Sequence, residues 1–181
     1  MPVTPDSGGQ KTEDGGQKNP HNDPQSSAVS PQSAVRSLPQ GTLLAFDFGT
    51  RRIGIAKGGT LLGNAAPLAT IDAEKNETRF ARIAELILEW QPSALVVGLP
   101  CNDDGTPHQM TALSRRFANR LKGRFNLPVM LVDERYTSAA ASSALNEQGV
   151  HGRKQKVLLD QYAAQQILQA YFDEPTAAQI V

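Results

Sequence analysis

The sequence predicts an α/β layered domain behind a polar N-terminal tail. Three observations carry this expectation. Leu43 to Phe48 and Ile53 to Lys57 read as short apolar strands joined by a Gly-Thr-Arg-Arg turn. Three later segments repeat apolar residues at helical spacing, and short continuous apolar runs, Ala94 to Leu99 and Leu127 to Val132, lie between them.

Residues 1–40 hold six of the twelve prolines and no aromatic residue. Such a segment cannot bury enough apolar surface to offset the entropy lost on ordering, so it is expected to be a disordered tail. The remainder, 41–181, is long enough to bury roughly 70% of its unfolded surface around one core. The chain carries 18 Lys+Arg against 18 Asp+Glu. Global charge therefore marks it as neither a nucleic-acid nor a membrane binder, and any such binding must come from a local patch. The lone Cys101 excludes an internal disulfide, the N-terminus has no apolar run of signal-peptide length, and no apolar stretch approaches the roughly 18 residues of a membrane span. The expectation is a cytoplasmic protein with no membrane partner.

After the first two strands, a looser third is expected near Ala66 to Ile71, completing a meander. Phe80, Ile83, Ile87 and Trp90 then mark a helix that Pro92 stops, and Ala94 to Leu99 follows as a buried strand. A second helix carries Leu113, Phe117 and Leu121, and Leu127 to Val132 is apolar on both faces, as central parallel strands are. Thr137 or Ser138 can cap a third helix ending near Gly149, and Val157 to Phe172 makes the closing helix.

Three carboxylates sit in apolar settings. Asp47 lies between Phe46 and Phe48, where an isolated ionised carboxylate is strongly disfavoured. Asp133 and Glu134, with Arg135 after them, end a buried strand at the carboxyl edge where open α/β sheets place their ligands. Asp160 shares a helix face with Ala164, Ile167 and Tyr171, so the stripe that should meet the sheet begins with an acid. Each alone reads more simply as a turn, cap or surface residue. Converging, they would repel by roughly 4 kcal/mol per pair at about 4 Å and an effective dielectric near 20, which a divalent cation resolves. Hard oxygen ligands favour Mg²⁺ or Mn²⁺, and His21, His108 and His151 are too scattered for zinc.

The stretches AFDFGTRRIGIA, VVGLP with the following DGT, VDERYTS and LLDQYAA, in that order from Leu43 to Phe172, closely resemble the YqgF/RuvX family of ribonuclease-H-like proteins. Its members are described as pre-16S rRNA nucleases and, through kinship with RuvC, as Holliday junction resolvases. The resemblance implies a ribonuclease-H-like domain over 41–181, a central mixed β-sheet flanked by helices, and an acidic triad of Asp47, Glu134 and Asp160. It leaves the choice between Asp133 and Glu134 open. Alternation puts the two on opposite faces, and Glu134 is preferred because Asp133 can pair with Arg135 or cap the next helix. Tyr136 and Ser138 depart from the leucine-like and threonine residues expected there.

The implied chemistry is metal-dependent endonucleolytic hydrolysis of phosphodiesters, with the three carboxylates as catalytic groups and metal ligands. The nucleic-acid partner is a ribosomal RNA precursor, trimmed at its 5′ end during ribosome biogenesis, or branched DNA. Arg51, Arg52, Arg135, Lys154 and Lys156 are the expected phosphate contacts. Arg115, Arg116, Arg120, Lys122 and Arg124 form either a further cationic track or a solvated helix surface. A monomer or a homodimer is compatible with these partners. Two rivals remain: an actin-like ATPase, which also uses an Asp-x-Gly-Thr turn but needs two such domains, and a non-catalytic binding factor for ribosomal RNA or transcription complexes.

Overall fold

The computed structural model describes residues 38–72, 75–134 and 153–181, with backbone only for 153–155. They belong to one compact unit, Ser37–Val181. Six strands form a mixed sheet: β1 (Thr42–Phe48), β2 (Arg52–Gly59), β3 (Asn64–Asp72), β4 (Ala94–Leu99), β5 (Val129–Asp133) and β6 (Gln179–Ile180), in the order β3-β2-β1-β4-β5-β6. The meander β1–β3 is antiparallel, β4 and β5 run parallel to β1, and β6 is antiparallel to β5. Among the described residues three helices flank it: α1 (Asn76–Trp90), α2 (Gln109–Phe125) and α3 (Arg153–Asp173). This is the mixed sheet between helices that the sequence predicts.

Local chemistry sets the boundaries. Gln91 takes a left-handed conformation, φ 45°, and its N–H closes α1 on the Ile87 carbonyl, after which Pro92 cannot continue the helix. His108 caps α2: its Nδ1 accepts from Met110 N at 3.1 Å while Thr111 Oγ1 accepts from His108 N at 2.9 Å. The β5 strand starts two residues later than its apolar run suggests, behind Pro128. The two-residue β6 has too little pattern to be read from sequence. The helix expected over 137–149, and all but the last three residues of the expected tail, lie outside the described residues.

The sheet's two faces carry different residues. Leu44, Phe46, Ile53, Ile55, Val97 and Leu131 point to the α1/α2 side, packed with Phe80, Phe117 and Leu121. Leu43, Ala45, Ala56, Ala94, Val96, Met130 and Val132 point to the α3 side, packed with Ala164, Ile167, Leu168 and Tyr171. The α3 side is the smaller-residue side, and β2 is its extreme: Gly54, Ala56 and Gly58 alternate with Ile53 and Ile55. That row lets α3 lie close on the sheet. Gln165 and Gln169 fasten it there, donating to the Ala65 carbonyl on β3 at 2.8 Å and to the Gly63 carbonyl in the turn before it at 3.0 Å.

Candidate active site

Asp47 continues the Leu43, Ala45 alternation and therefore faces α3, near the end of β1. By the same rule Glu134 follows Met130 and Val132 toward α3, whereas Asp133 follows Val129 and Leu131 toward the other side. Parity alone thus puts Glu134, rather than Asp133, on the face with Asp47. Asp160 comes down onto this face from α3.

Two glycines make the approach possible. Gly54 is the cross-strand partner of Asp47. A Cβ there would fall inside the Asp160 carbonyl and lie 3.0 Å from Asp160 Cα, so the missing side chain is the space that the backbone of α3 occupies. Gly98 lies one residue beyond the Phe46/Val97 pairing of β1 with β4, on the other flank of Asp47. A Cβ there would overlap Glu134 Oε1 and Ile167 Cδ1. Asp47 therefore sits in a trough between two glycines that admits Asp160 from one side and Glu134 from the other.

The charges respond to this crowding. Burial, and then the neighbouring Asp160 charge, pushes the Asp47 carboxyl up from 3.8 to about 6. Burial, followed by the charges of Asp47 and Asp133, pushes Glu134 up from 4.5 to about 8. Asp160 is held differently: its Oδ2 accepts from Arg52 Nε at 2.5 Å in a partly buried ion pair. Among the described residues no three His, Cys, Asp or Glu side chains stand together in metal-holding geometry. The donor chemistry nonetheless fits a hard divalent cation. Burial and neighbouring carboxylates disfavour the ionised forms of Asp47 and Glu134, Asp160 acting on Asp47 and Asp47 on Glu134, and a cation would relieve both causes. Asp160 would join them once Arg52 yields it.

The expected phosphate contacts divide. Arg51 is exposed in the β1–β2 turn, which is closed by Gly49 N donating to the Arg52 carbonyl at 2.9 Å. Lys156 is exposed on the first turn of α3, while Arg52 is engaged with Asp160. Arg135 and the Lys154 side chain lie outside the described residues. The loop after β4 is tied by Asp104, which accepts from Thr106 N at 2.8 Å and Thr106 Oγ1 at 2.6 Å, and half-buried Cys101 packs against the α1/α2-side core.

Sequence reasoning missed Gly54, Gly98 and Arg79. The signal for the glycines was present, because a glycine inside an apolar strand marks a close approach. Arg79 gave none: it lies on α1 among apolar positions and is only 4% exposed.

The profile of the RuvX family, described as Holliday junction resolvase, matches residues 41–174. A protein of Methylobacillus flagellatus is 61% identical over 143 residues, covering 79% of this chain and 97% of its own. One from Chromobacterium violaceum is 63% identical over 136 residues, covering 75% and 99%. Both carry the name "Putative pre-16S rRNA nuclease". Among solved structures, Thermus thermophilus RuvC in complex with Holliday junction substrate aligns over 78% of this chain and 99% of its own, at 13% identity and a TM-score of 0.49. With a profile match across nearly the whole described domain and relatives above 60% identity, the chain belongs to the RuvX family.

Proposed function

We propose that this protein is a divalent-metal-dependent endonuclease that hydrolyses phosphodiester bonds at the 5′ end of the ribosomal RNA precursor. The observation that carries the reading is the Asp47–Glu134 pair, two carboxyl groups raised to about 6 and about 8 in one trough with Asp160 above it. The names of the close relatives give the substrate class.

Asp47 and Glu134 would hold Mg²⁺ or Mn²⁺, with Asp160 completing the set. A bound cation supplies Lewis acidity at the scissile phosphate and a more acidic attacking water. The chain's own residues orient and neutralise. Arg52 balances the Asp160 charge until the site is filled, and the exposed Arg51 and Lys156 would meet strand phosphates flanking the trough, with Arg135 and Lys154 assigned the same role. Among the described residues no helix is long and apolar enough to cross a membrane.

The test is a side-by-side cleavage assay on a 5′ precursor fragment of 16S rRNA and on a mobile four-way DNA junction, in Mg²⁺ and in Mn²⁺, with Asp47→Asn as the blank. Cation-dependent cutting of the RNA by the wild type alone supports the proposal. Preference for the junction would transfer it to the resolvase role described for the family. No cutting of either would leave a binding factor.

Gly98→Ala separates site geometry from folding. The atoms that its Cβ would meet are the ends of two side chains, which can move. A stability loss of only about 1 kcal/mol is expected in urea denaturation. Displacing Glu134 should nevertheless cut the cleavage rate by about 10–100-fold. Full activity in Gly98→Ala would remove Glu134 from the proposed set.

The raised carboxyls also set a pH dependence. Each has a folded-state pKa above its unfolded value, so the folded form keeps the proton longer. Their contribution to stability is present below about pH 4 and is lost as pH rises through about 6 for Asp47 and about 8 for Glu134. In chelator, the melting temperature should therefore fall between about pH 5 and about pH 8.5. A cation at roughly 100 times its Kd should restore about 2.7 kcal/mol at the upper end, read as a thermal shift. A chelated protein whose stability rises over that interval would contradict the buried-acid geometry.

A further inference from the structure

A second concavity lies behind the acidic trough, on the opposite face of the sheet between α1 and α2. Its volume is about 240 Å³, and Phe48, Phe80 and Phe117 form its walls while Arg79, Arg116, Arg120 and Asn76 supply its polar groups. Among the described residues no carboxylate lines it. We propose that this cleft is a phosphate subsite for the substrate strand, holding one backbone phosphate of the nucleic acid beside the acidic edge. The proposal rests on the reading that the chain acts on nucleic acid, and it adds a binding site which the acidic residues do not provide.

Its place in the fold comes first. Phe48 is the last residue of β1 and the immediate neighbour of Asp47, but alternation turns it to the α1/α2 side, where its ring stacks on Phe117 at 4.7 Å and 22°. The cleft and the trough thus share one end of one strand. Arg79 strengthens the link. Its Nη2 donates to the Thr50 carbonyl, in the turn that leads from Asp47 to Arg51 and Arg52, and its guanidinium lies 6.0 Å from the Phe48 ring. An anion seated at Arg79 would therefore bear directly on the turn carrying the proposed phosphate contacts.

The chemistry selects the ligand. Arg116 and Arg120 are one turn apart on α2, so both project on one side of the helix, and both are exposed. Guanidinium forks match phosphate oxygens in a bidentate way that a lysine ammonium does not. Aromatic walls lower the local dielectric and strengthen that attraction. Pockets for drug-sized ligands usually run to about 300–1,000 Å³, so a cleft of about 240 Å³ suits a single phosphate group rather than a whole cofactor.

The experiment measures binding of the full chain to the fluorescent 5′ precursor RNA fragment by anisotropy, in EDTA to prevent cleavage, across a salt series. Arg116→Gln and Arg120→Gln are each expected to raise Kd about fivefold and to lower the slope of log K against log salt by about 0.7, the value for one lost single-strand phosphate contact. Lys57→Gln removes the same charge near the far end of β2, where Lys57 lies over the Trp90 ring at 3.3 Å, and should change neither quantity. Thermal melts of all three verify folding. If the arginine variants behave like Lys57→Gln while the wild type still binds and cleaves the RNA, the subsite falls and the nuclease reading stands. A wild type that neither binds nor cleaves sinks both. Weakened binding of free 5′-UMP with unchanged RNA binding would make the cleft a nucleotide site and overturn the strand assignment.

Discussion

Asp47→Asn is expected to lower cleavage by about 10³-fold while raising the melting temperature. The two signs have one cause. Ionised Asp47 is disfavoured by burial and by Asp160, and the rise from 3.8 to about 6 corresponds to about 3 kcal/mol of destabilisation near neutral pH. Asparagine removes the charge but leaves a half-buried amide, which returns about 1–3 kcal/mol of that gain. The net is a stabilisation of about 1 kcal/mol, or roughly 2–4 °C for a domain of this size. Activity moves the other way, because an amide cannot supply the negative charge that a hard cation needs, and about 4 kcal/mol of transition-state stabilisation corresponds to about 10³ in rate. Calorimetric melts and single-turnover cleavage on one preparation measure both. A variant that is destabilised as well as inactive would show that Asp47 is a structural residue with a favourable partner rather than a carboxylate kept at a cost for chemistry.

Gly54→Ala should have the largest effect on stability, about 3 kcal/mol or more, equivalent to roughly 10 °C. The new methyl would enter the space of the Asp160 backbone, and a helix backbone cannot rotate away as a side-chain tip can. Relief requires shifting α3, which is fastened to β3 by Gln165, Gln169 and the Thr70 Oγ1 to Val157 carbonyl bond of 2.9 Å. The Arg52–Asp160 pair should be lost in the same movement. Gly59→Ala is the control on the same strand: nothing lies within 4 Å of its added methyl, and its cost should be below about 0.5 kcal/mol. Equal urea midpoints for the two variants would remove the close helix–sheet contact from the account of how Asp160 reaches the site.

Much of this architecture is written locally. Alternation in β1, the proline after Gln91 and the apolar stripe of α3 are properties of a few neighbouring residues, and each element they predict is where they place it. Parity extends that legibility only part of the way: alternation puts Asp133 and Glu134 on opposite faces, but which of them shares a face with Asp47 is decided by the packing of Met130 and Val132 with Leu43 and Ala45. Arg52 is different. Among the basic residues after Asp47 nothing distinguishes an arginine reserved for phosphate from one closing on a carboxylate 108 positions later, because an ion pair leaves no periodic trace. Arg79 is harder still, being a buried cation on an otherwise ordinary helix.

The sequence by itself determined the layered α/β class, the first five strands and the three helices of the described domain, and the family to which it belongs, because these follow from short-range periodicity and from motifs read in order. Tertiary structure alone decided which glycine admits a helix backbone and which admits a carboxylate, that Asp160 is held by Arg52, and that three arginines from two helices share a cleft behind β1. The physical reason is distance along the chain: excluded volume and Coulomb interaction act between whatever folding brings together, and they leave no repeat in the residues themselves.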